Sequence, residues 1–328
     1  MGSPPRSLME TARTLTARQT WTLRLPRGRS LRLGERPLVM GILNLTPDSF
    51  SDGGLWTGGR GPAHDPEKAV EGGLAMLAAG ADLLDLGAES TRPGGGVYGA
   101  GAAAVPAGVE AARLLPVLSA LRHATGAPLS VDTRKGEVAR QALAAGADLI
   151  NDVSALADPD LGRAVAAAGC PLVLMHSRGD LATMQRGISF RDLLGEVREE
   201  LTAAVERARV LGVDEEQILL DPGIGFGKTA EQNLALIARL DELAPLGRPL
   251  LVGASRKSFL SRAVETSGGS PVPPAARLAG SLAAAAWAAD RGAAVVRVHD
   301  VAETVQLLTV WRAIAGQSNR MAEGAVAG

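Results

Sequence analysis

Eight short apolar runs, each with polar or glycine residues at or near its end and each followed by a longer amphipathic stretch, constrain this chain more than any other feature. They are Leu38–Leu45, Asp82–Gly87, Pro128–Asp132, Leu149–Val153, Pro171–His176, Ile218–Asp221, Leu250–Gly253 and Ala294–His299. The stretches between and after them predict helices near 66–79, 105–124, 135–145, 158–168, 190–211, 230–245, 274–291 and 301–315. Runs that are apolar at consecutive positions imply burial on both faces, hence a parallel sheet covered by helices. Eight such units closing on themselves make an α/β protein of the (β/α)8 TIM-barrel class; an open doubly wound sheet is the alternative. A length of 328 residues accommodates one barrel of roughly 250 residues plus extensions.

The extensions read differently. Residues 1–36 contain Trp21-Thr22-Leu23-Arg24-Leu25 and Ser30-Leu31-Arg32-Leu33, alternating around Pro26-Arg27-Gly28, the pattern of a β-hairpin capping the barrel bottom. The barrel is expected over 37–316 and a disordered tail over 317–328. Two helices run into the same phrase, Ala79-Gly80-Ala81-Asp82 and Ala145-Gly146-Ala147-Asp148, where glycine supplies the left-handed cap before the next strand. With only nine aromatic residues, the core must be filled by Ala, Leu, Val and Ile.

Charge and cysteine narrow the function. A net charge of −1 gives no general attraction to nucleic acid or anionic membranes, so a bound anion needs a local basic cluster. The single cysteine, Cys170, excludes an intrachain disulfide and reads as a small buried residue. No run has the roughly 18 apolar residues of a membrane span. The first residues lack a signal-peptide core, and the eight arginines of residues 1–36 reflect a chain with 30 Arg and 4 Lys. A cytoplasmic location is expected.

In a barrel, reactive groups belong at the C-terminal ends of the strands. Asn44 closes the first run, Asp132 the third, Asn151 and Asp152 lie in the fourth, and Met175-His176 end the fifth. Asp221-Pro222-Gly223-Ile224-Gly225-Phe226-Gly227-Lys228 follow the sixth, Ser255-Arg256-Lys257-Ser258 the seventh, and Arg297, His299 and Asp300 close the eighth. Asp132, Asn151 and Asp221 suit a flat heterocycle with several N–H groups. Arg92, Arg297, His299 and Lys257 suit phosphate. Phe226 offers a face to a ring, and the Gly-rich loops 46–60 and 91–104 read as lids. Neither a zinc spacing nor a Ser/His/Asp arrangement is present, so the site works by electrostatics and positioning. Each residue also has a plainer reading. Asp132 and Asp221 fit helix caps, His176 a buried histidine, Glu89 and Asp152 loop ties, and Lys228 a solvated residue near a helix start. Lys257 lies beyond an apolar strand, where a solvated cation has little reason to be.

The segments MGILNLTPDSFSDGG, DLGAESTRPG, SVDTRK, INDVSA, LMHS, DPGIGFGK, GASRKS and RVHD together resemble the dihydropteroate synthases over roughly residues 38–300. The resemblance implies condensation of 6-hydroxymethyl-7,8-dihydropterin diphosphate with p-aminobenzoate, releasing pyrophosphate with Mg2+. It implies that Asp132, Asn151, Asp221 and Lys257 hold the pterin, with Met175 nearby, and that Asn44 ligates Mg2+. Thr91, Arg92, Arg297 and His299 would grip the diphosphate, and Thr91, Pro93, Phe226 and Ser258 would line the p-aminobenzoate slot. Asp132 would face the cation left when pyrophosphate departs, with Lys257 beside it. Sulfonamides would compete with p-aminobenzoate, and a homodimer is expected. The second loop, GGGVYGAGAAAVPAG, is longer and richer in glycine than usual, while MHSRG and GASRKS replace commoner forms. The competing readings are a paralogue that binds pterin without turnover and a corrinoid-linked methyltetrahydrofolate methyltransferase.

Overall fold

Alternating leucine and arginine produces the first element of the fold. In the computed structural model, which describes residues 19–46, 65–89, 105–179 and 187–326, strands β1 (Trp21–Leu25) and β2 (Arg29–Leu33) form an antiparallel hairpin. Leu23, Leu25, Leu31 and Leu33 point to one side and are buried, while Thr22, Arg24, Ser30 and Arg32 face away. The turn carries two left-handed residues, Arg27 and Gly28.

Eight parallel strands follow: β3 (Leu38–Asn44), β4 (Leu83–Gly87), β5 (Leu129–Asp132), β6 (Leu149–Asp152), β7 (Leu172–Met175), β8 (Ile218–Asp221), β9 (Leu251–Val252) and β10 (Val295–Val298). Their order is β8-β7-β6-β5-β4-β3-β10-β9, and a parallel bridge between Leu220 and Leu250 joins the two ends into a ring. The helices are α1 (Pro66–Ala78), α2 (Ala107–Ala124), α3 (Gly136–Ala145), α4 (Pro159–Ala168), α5 (Leu193–Val210), α6 (Ala230–Ala238), α7 (Ser258–Thr266), α8 (Leu278–Asp290) and α9 (Val301–Val326). The sequence expectation of a TIM barrel with an N-terminal hairpin holds.

Two cores result. Residues facing outward from the sheet pack against the helices, and those facing inward at the N-terminal ends of the strands fill the barrel floor. Leu38, Met40, Leu83, Leu149, Val173, Leu219, Leu251 and Val295 make that floor, and the four hairpin leucines close it from below. Each buried leucine contributes about 1.5–3 kcal/mol. The repeated Ala-Gly-Ala-Asp phrase has a second use here. Asp148, fully buried, pairs with Arg27 and Arg29 of the hairpin turn and with Arg122, while Asp82 takes Arg36. The hairpin is thus fastened to the floor by charge as well as by leucine, which leaves chemistry to the opposite end.

Three expectations need correction. The helix placed at 230–245 stops at Ala238, because Arg239 leaves the helical region and a 3-10 segment containing Pro245 follows. The helix placed at 274–291 starts at Leu278, after a 3-10 turn at Pro274–Ala276. Helix α9 runs to Val326, into the stretch expected as a disordered tail; Ala, Arg, Met and Glu there favour a helix. Among the described residues no helix is long and apolar enough to cross a membrane.

Candidate active site

Asn44, Gly87, Asp132 and Asn151 are successive partners across β3, β4, β5 and β6, so parallel register sets them side by side at the open end of the barrel. Arg297, on β10, reaches into the same space. Its Nε donates to Asp85 at 2.6 Å and its Nη2 to Asp132 at 2.9 Å. Asn151 Nδ2 donates to Asp85 at 3.0 Å. Of the groups singled out from the sequence, Asp132, Asn151 and Arg297 are therefore one hydrogen-bonded network, joined through Asp85.

Asp132 is almost fully buried. Loss of hydration pushes its carboxyl pKa up to about 7; the Arg297 cation opposes this, while Asp85, Glu110 and Asp152 reinforce it. It caps no helix: α3 begins from Lys135 without a side-chain cap. Asp221 is likewise raised by burial, with the Lys257 cation opposing, and its Oδ1 accepts from Gly223 N at 2.7 Å, so it braces the following loop rather than capping α6. Lys257 stands at the start of α7, with its ammonium on Ile224 O and 4.6 Å from the centre of the Phe226 ring. Burial lowers its pKa to about 8, with Asp221 holding it up. Phe226 packs with Met175 and Val153 in a small apolar cluster at the mouth. Ser258 is the first residue of α7, whose amino end has no side-chain cap. His299 contacts Ser255 Oγ through both its backbone N and its ring Nδ1, at 3.2 and 3.0 Å.

The loop 222–227 depends on glycine and on a lysine. Gly223 has φ +70°, and a Cβ there would lie 1.8 Å from His176 O. Lys228, expected in solvent, is instead buried beneath this loop. Its ammonium contacts His176 Nδ1 at 2.8 Å and donates to Gly223 O and Phe226 O, each at 3.0 Å. Burial lowers its pKa to about 7, but three acceptors around one ammonium favour the charged form. His176 is buried as expected, and burial with the neighbouring Lys228 and Arg178 cations drives its pKa down to about 2. Glu89 and Asp152 tie loops: Glu89 holds Arg134, Lys135 and Val105 N, and Asp152 holds Ser154 and Leu156 N. Cys170 is inert in its pocket, its thiol pushed up to about 12 by burial.

Thr91, Arg92, Pro93 and most of both Gly-rich loops lie outside the described residues. Asp85, Ser255, Arg256 and Asp300 lie at or near strand ends in the sequence, but the sequence reading gave none of them a role, nor the pairing of Arg256 with Asp300. The last holds Arg256 in a left-handed conformation, φ +59°, just before Lys257. The signal for Asp85 was there: a lone carboxylate in the middle of an apolar strand is expensive unless it is paired.

Residues 40–299 match the family described as pterin binding enzyme. A dihydropteroate synthase of Synechocystis sp. is 45% identical over 294 residues, covering 88% of this chain and 95% of the relative. Among solved structures, a Yersinia pestis dihydropteroate synthase in a sulfonamide drug complex superposes with a TM-score of 0.79 at 42% identity, covering 89% of this chain and 98% of that one. A Xanthomonas albilineans dihydropteroate synthase with 7,8-dihydropteroate gives 0.74 at 44% identity, with the same coverage.

Proposed function

The chain belongs to the dihydropteroate synthases, and from that premise we infer how its own residues divide the work of joining 6-hydroxymethyl-7,8-dihydropterin diphosphate to p-aminobenzoate. The enzyme is a transferase of folate biosynthesis. The names of these relatives remove the corrinoid-linked methyltransferase reading. The observation that carries the assignment of roles is the buried network of Asp132, Asn151, Asp85 and Arg297 at the barrel mouth, with Asp221 and Lys257 facing it.

In this reading the pterin lies on that network, its N–H groups toward Asp132, Asn151 and Asp221, with Met175 against the ring. The slot for p-aminobenzoate lies beside Phe226, with its carboxylate toward Ser258 and the positive end of the α7 dipole. Thr91, Arg92, Pro93 and His299 complete the diphosphate and arylamine sites. Arg297 serves the diphosphate only through the donors that Asp85 and Asp132 leave over. Pyrophosphate departs first, leaving a delocalised cation on the pterin methylene. Asp132 stabilises that cation: opposite charges ~4 Å apart gain about 4 kcal/mol at an effective dielectric near 20. The arylamine nitrogen then attacks, and its proton is lost to solvent.

Mg2+ fits one feature of the site. Among the described residues no three His, Cys, Asp or Glu side chains gather as a metal cage, whereas Asn44 ends β3 beside the network with a neutral amide oxygen. Asn44 would hold a hard cation through this oxygen, and the ion would supply neutralisation of the charge that develops on the departing pyrophosphate. Asn44→Ala is expected to weaken Mg2+-dependent turnover about tenfold or more while leaving pterin binding nearly intact. Metal titrations under turnover and calorimetry on the pterin check this, and an unchanged Mg2+ dependence counts against it.

The test of the function is a pyrophosphate-release assay with the pterin diphosphate, with and without p-aminobenzoate. No release in either condition, from folded protein, removes the reading and leaves the paralogue that binds without turnover. Two further outcomes are expected. The profile of kcat/KM against pH is bell-shaped, because it reports groups of the free enzyme. Asp132 must be ionised, so activity falls as pH drops below about 7; Lys257 must be charged, so activity falls again above about 8. A flat profile between pH 6 and 9, on the order of the whole working range, refutes these assignments. A sulfonamide inhibits competitively, its effect fading as p-aminobenzoate rises; inhibition that ignores p-aminobenzoate means the slot near Phe226 is misplaced. A homodimer and a cytoplasmic location belong to the same reading and rest on family membership alone.

A further inference from the structure

Asp85 sits inside the barrel in the middle of β4, flanked by Leu83, Leu84 and Leu86, with no exposed surface. Its Oδ2 accepts from both Asn151 Nδ2 and Arg297 Nε, and its Oδ1 has no partner among the described residues. A carboxylate offers only acceptors, so it admits only the NH2 end of the Asn151 amide. An amide beside a neutral or ambivalent neighbour turns either end to a ligand. Beside Asp85 it has no such choice: the nitrogen is held at the carboxylate, so the oxygen stays on the other side as the acceptor the amide offers a ligand.

We propose that Asp85 sets the hydrogen-bonding polarity of the ring pocket: by fixing the amide of Asn151 it makes that position demand an N–H donor from the ligand. The proposal rests on the reading of this pocket as the pterin site and names what that site selects for. A ring that offers N–H groups along its pyrimidinone edge is accepted; one with a lone pair at the same place meets the Asn151 oxygen and is rejected. The same carboxylate steadies Arg297, whose second grip is on Asp132. Asp85 is thus a positioning residue that acts through Asn151 and Arg297. Charge balance alone does not explain it, because Asp132 already supplies Arg297 with a counter-charge.

The decisive comparison is calorimetry with the pterin diphosphate, alongside steady-state kinetics and thermal unfolding, on the parent, on Asp85→Asn and on the exchange Asp85→Asn with Asn151→Asp. In the single variant two amides face each other and Asn151 can flip. The pterin Kd is expected to rise about 10–100-fold, the scale of one lost hydrogen bond to a buried charged group. The KM for p-aminobenzoate should stay within about twofold, since that slot is elsewhere. In the exchange the new amide donates to the new carboxylate, whose second oxygen again faces the ring, so most of the lost affinity returns. Pterin bound by Asp85→Asn as tightly as by the parent overturns the proposal, and so does a folded exchange no better than the single variant. If the single variant does not fold, the exchange against the parent decides. An exchange that does not fold also counts against the proposal, because it keeps every pairing invoked. A parent that takes up no pterin diphosphate removes the pocket reading itself, a result distinct from all of these.

Discussion

Arg297→Met is expected to destabilise the fold by about 3–5 kcal/mol, the usual loss when one partner of a buried ion pair is removed and the other charge is stranded. Here the guanidinium serves two carboxylates, Asp85 with no exposed surface and Asp132 with little. Methionine fills a similar volume, so the loss reflects charge and hydrogen bonding more than packing. At roughly 2–4 °C per kcal/mol for a chain of this size, the melting temperature falls by about 10 °C. The pH dependence gives the loss a signature. Asp132 already has a folded pKa above its unfolded one, and it loses the cation that opposes the shift. A carboxyl raised in the folded state destabilises above its folded pKa and ceases to do so as pH falls toward the unfolded value. The deficit of the variant should therefore narrow as pH falls from about 8 to about 5. Arg297→Lys should recover part of it, because a point charge serves one carboxylate but lacks the fork that reaches both. Urea unfolding at the two pH values settles the matter: a deficit that widens in acid, or stays below about 1 kcal/mol, means that the pairs with Asp85 and Asp132 contribute little.

The barrel was legible because a parallel strand buried on both faces leaves a continuous apolar run, and all eight runs carry it. The hairpin was legible for the opposite reason: one buried face makes Leu and Arg alternate. Strand ends then gave Asn44, Asp132, Asn151, Asp221 and Arg297 directly. What stayed hidden were pairings made across the ring. Asp85 lies a layer below the mouth, and nothing near it in sequence shows that Asn151 and Arg297 meet it there. Lys228 follows a loop of glycines and precedes a helix, a context that reads as solvent. Its acceptors are His176 on another strand end and carbonyls of its own loop, which close over it only once Gly223 has turned. The arginines in and just after the hairpin posed the same difficulty, since Asp148 and Asp82 gather them from more than forty residues away. Periodicity reports which way a side chain faces; it does not report which partner waits there.

Asp132→Asn is expected to lower kcat about 10²–10³-fold, the scale seen when one preorganised transition-state contact is lost. The substitution keeps the size and much of the hydrogen bonding but removes the charge that faces the pterin cation. Because the bound substrate carries no such cation, pterin affinity should change far less than kcat. Part of the loss can still arise in binding, since the amide can give its oxygen to Arg297 and turn its NH2 toward the ring, while Arg297 keeps Asp85 as its charged partner. Calorimetry on the pterin diphosphate measures that part separately. The pH profile supplies a second reading. The acid limb near pH 7 belongs to Asp132 and should vanish in the variant, while the limb near pH 8 from Lys257 remains. Stability should shift as well. The parent carboxyl is held above its unfolded pKa, so it destabilises the fold increasingly as pH rises through its folded value near 7, and an uncharged amide escapes that cost. The variant should therefore unfold at the same or a higher temperature than the parent at about pH 8. A carboxylate kept where it weakens the fold, and whose removal stabilises the protein while stopping turnover, has the behaviour of a group retained for its charge in the transition state. Near-normal kcat, or a loss confined to pterin affinity, would instead make Asp132 an orienting residue.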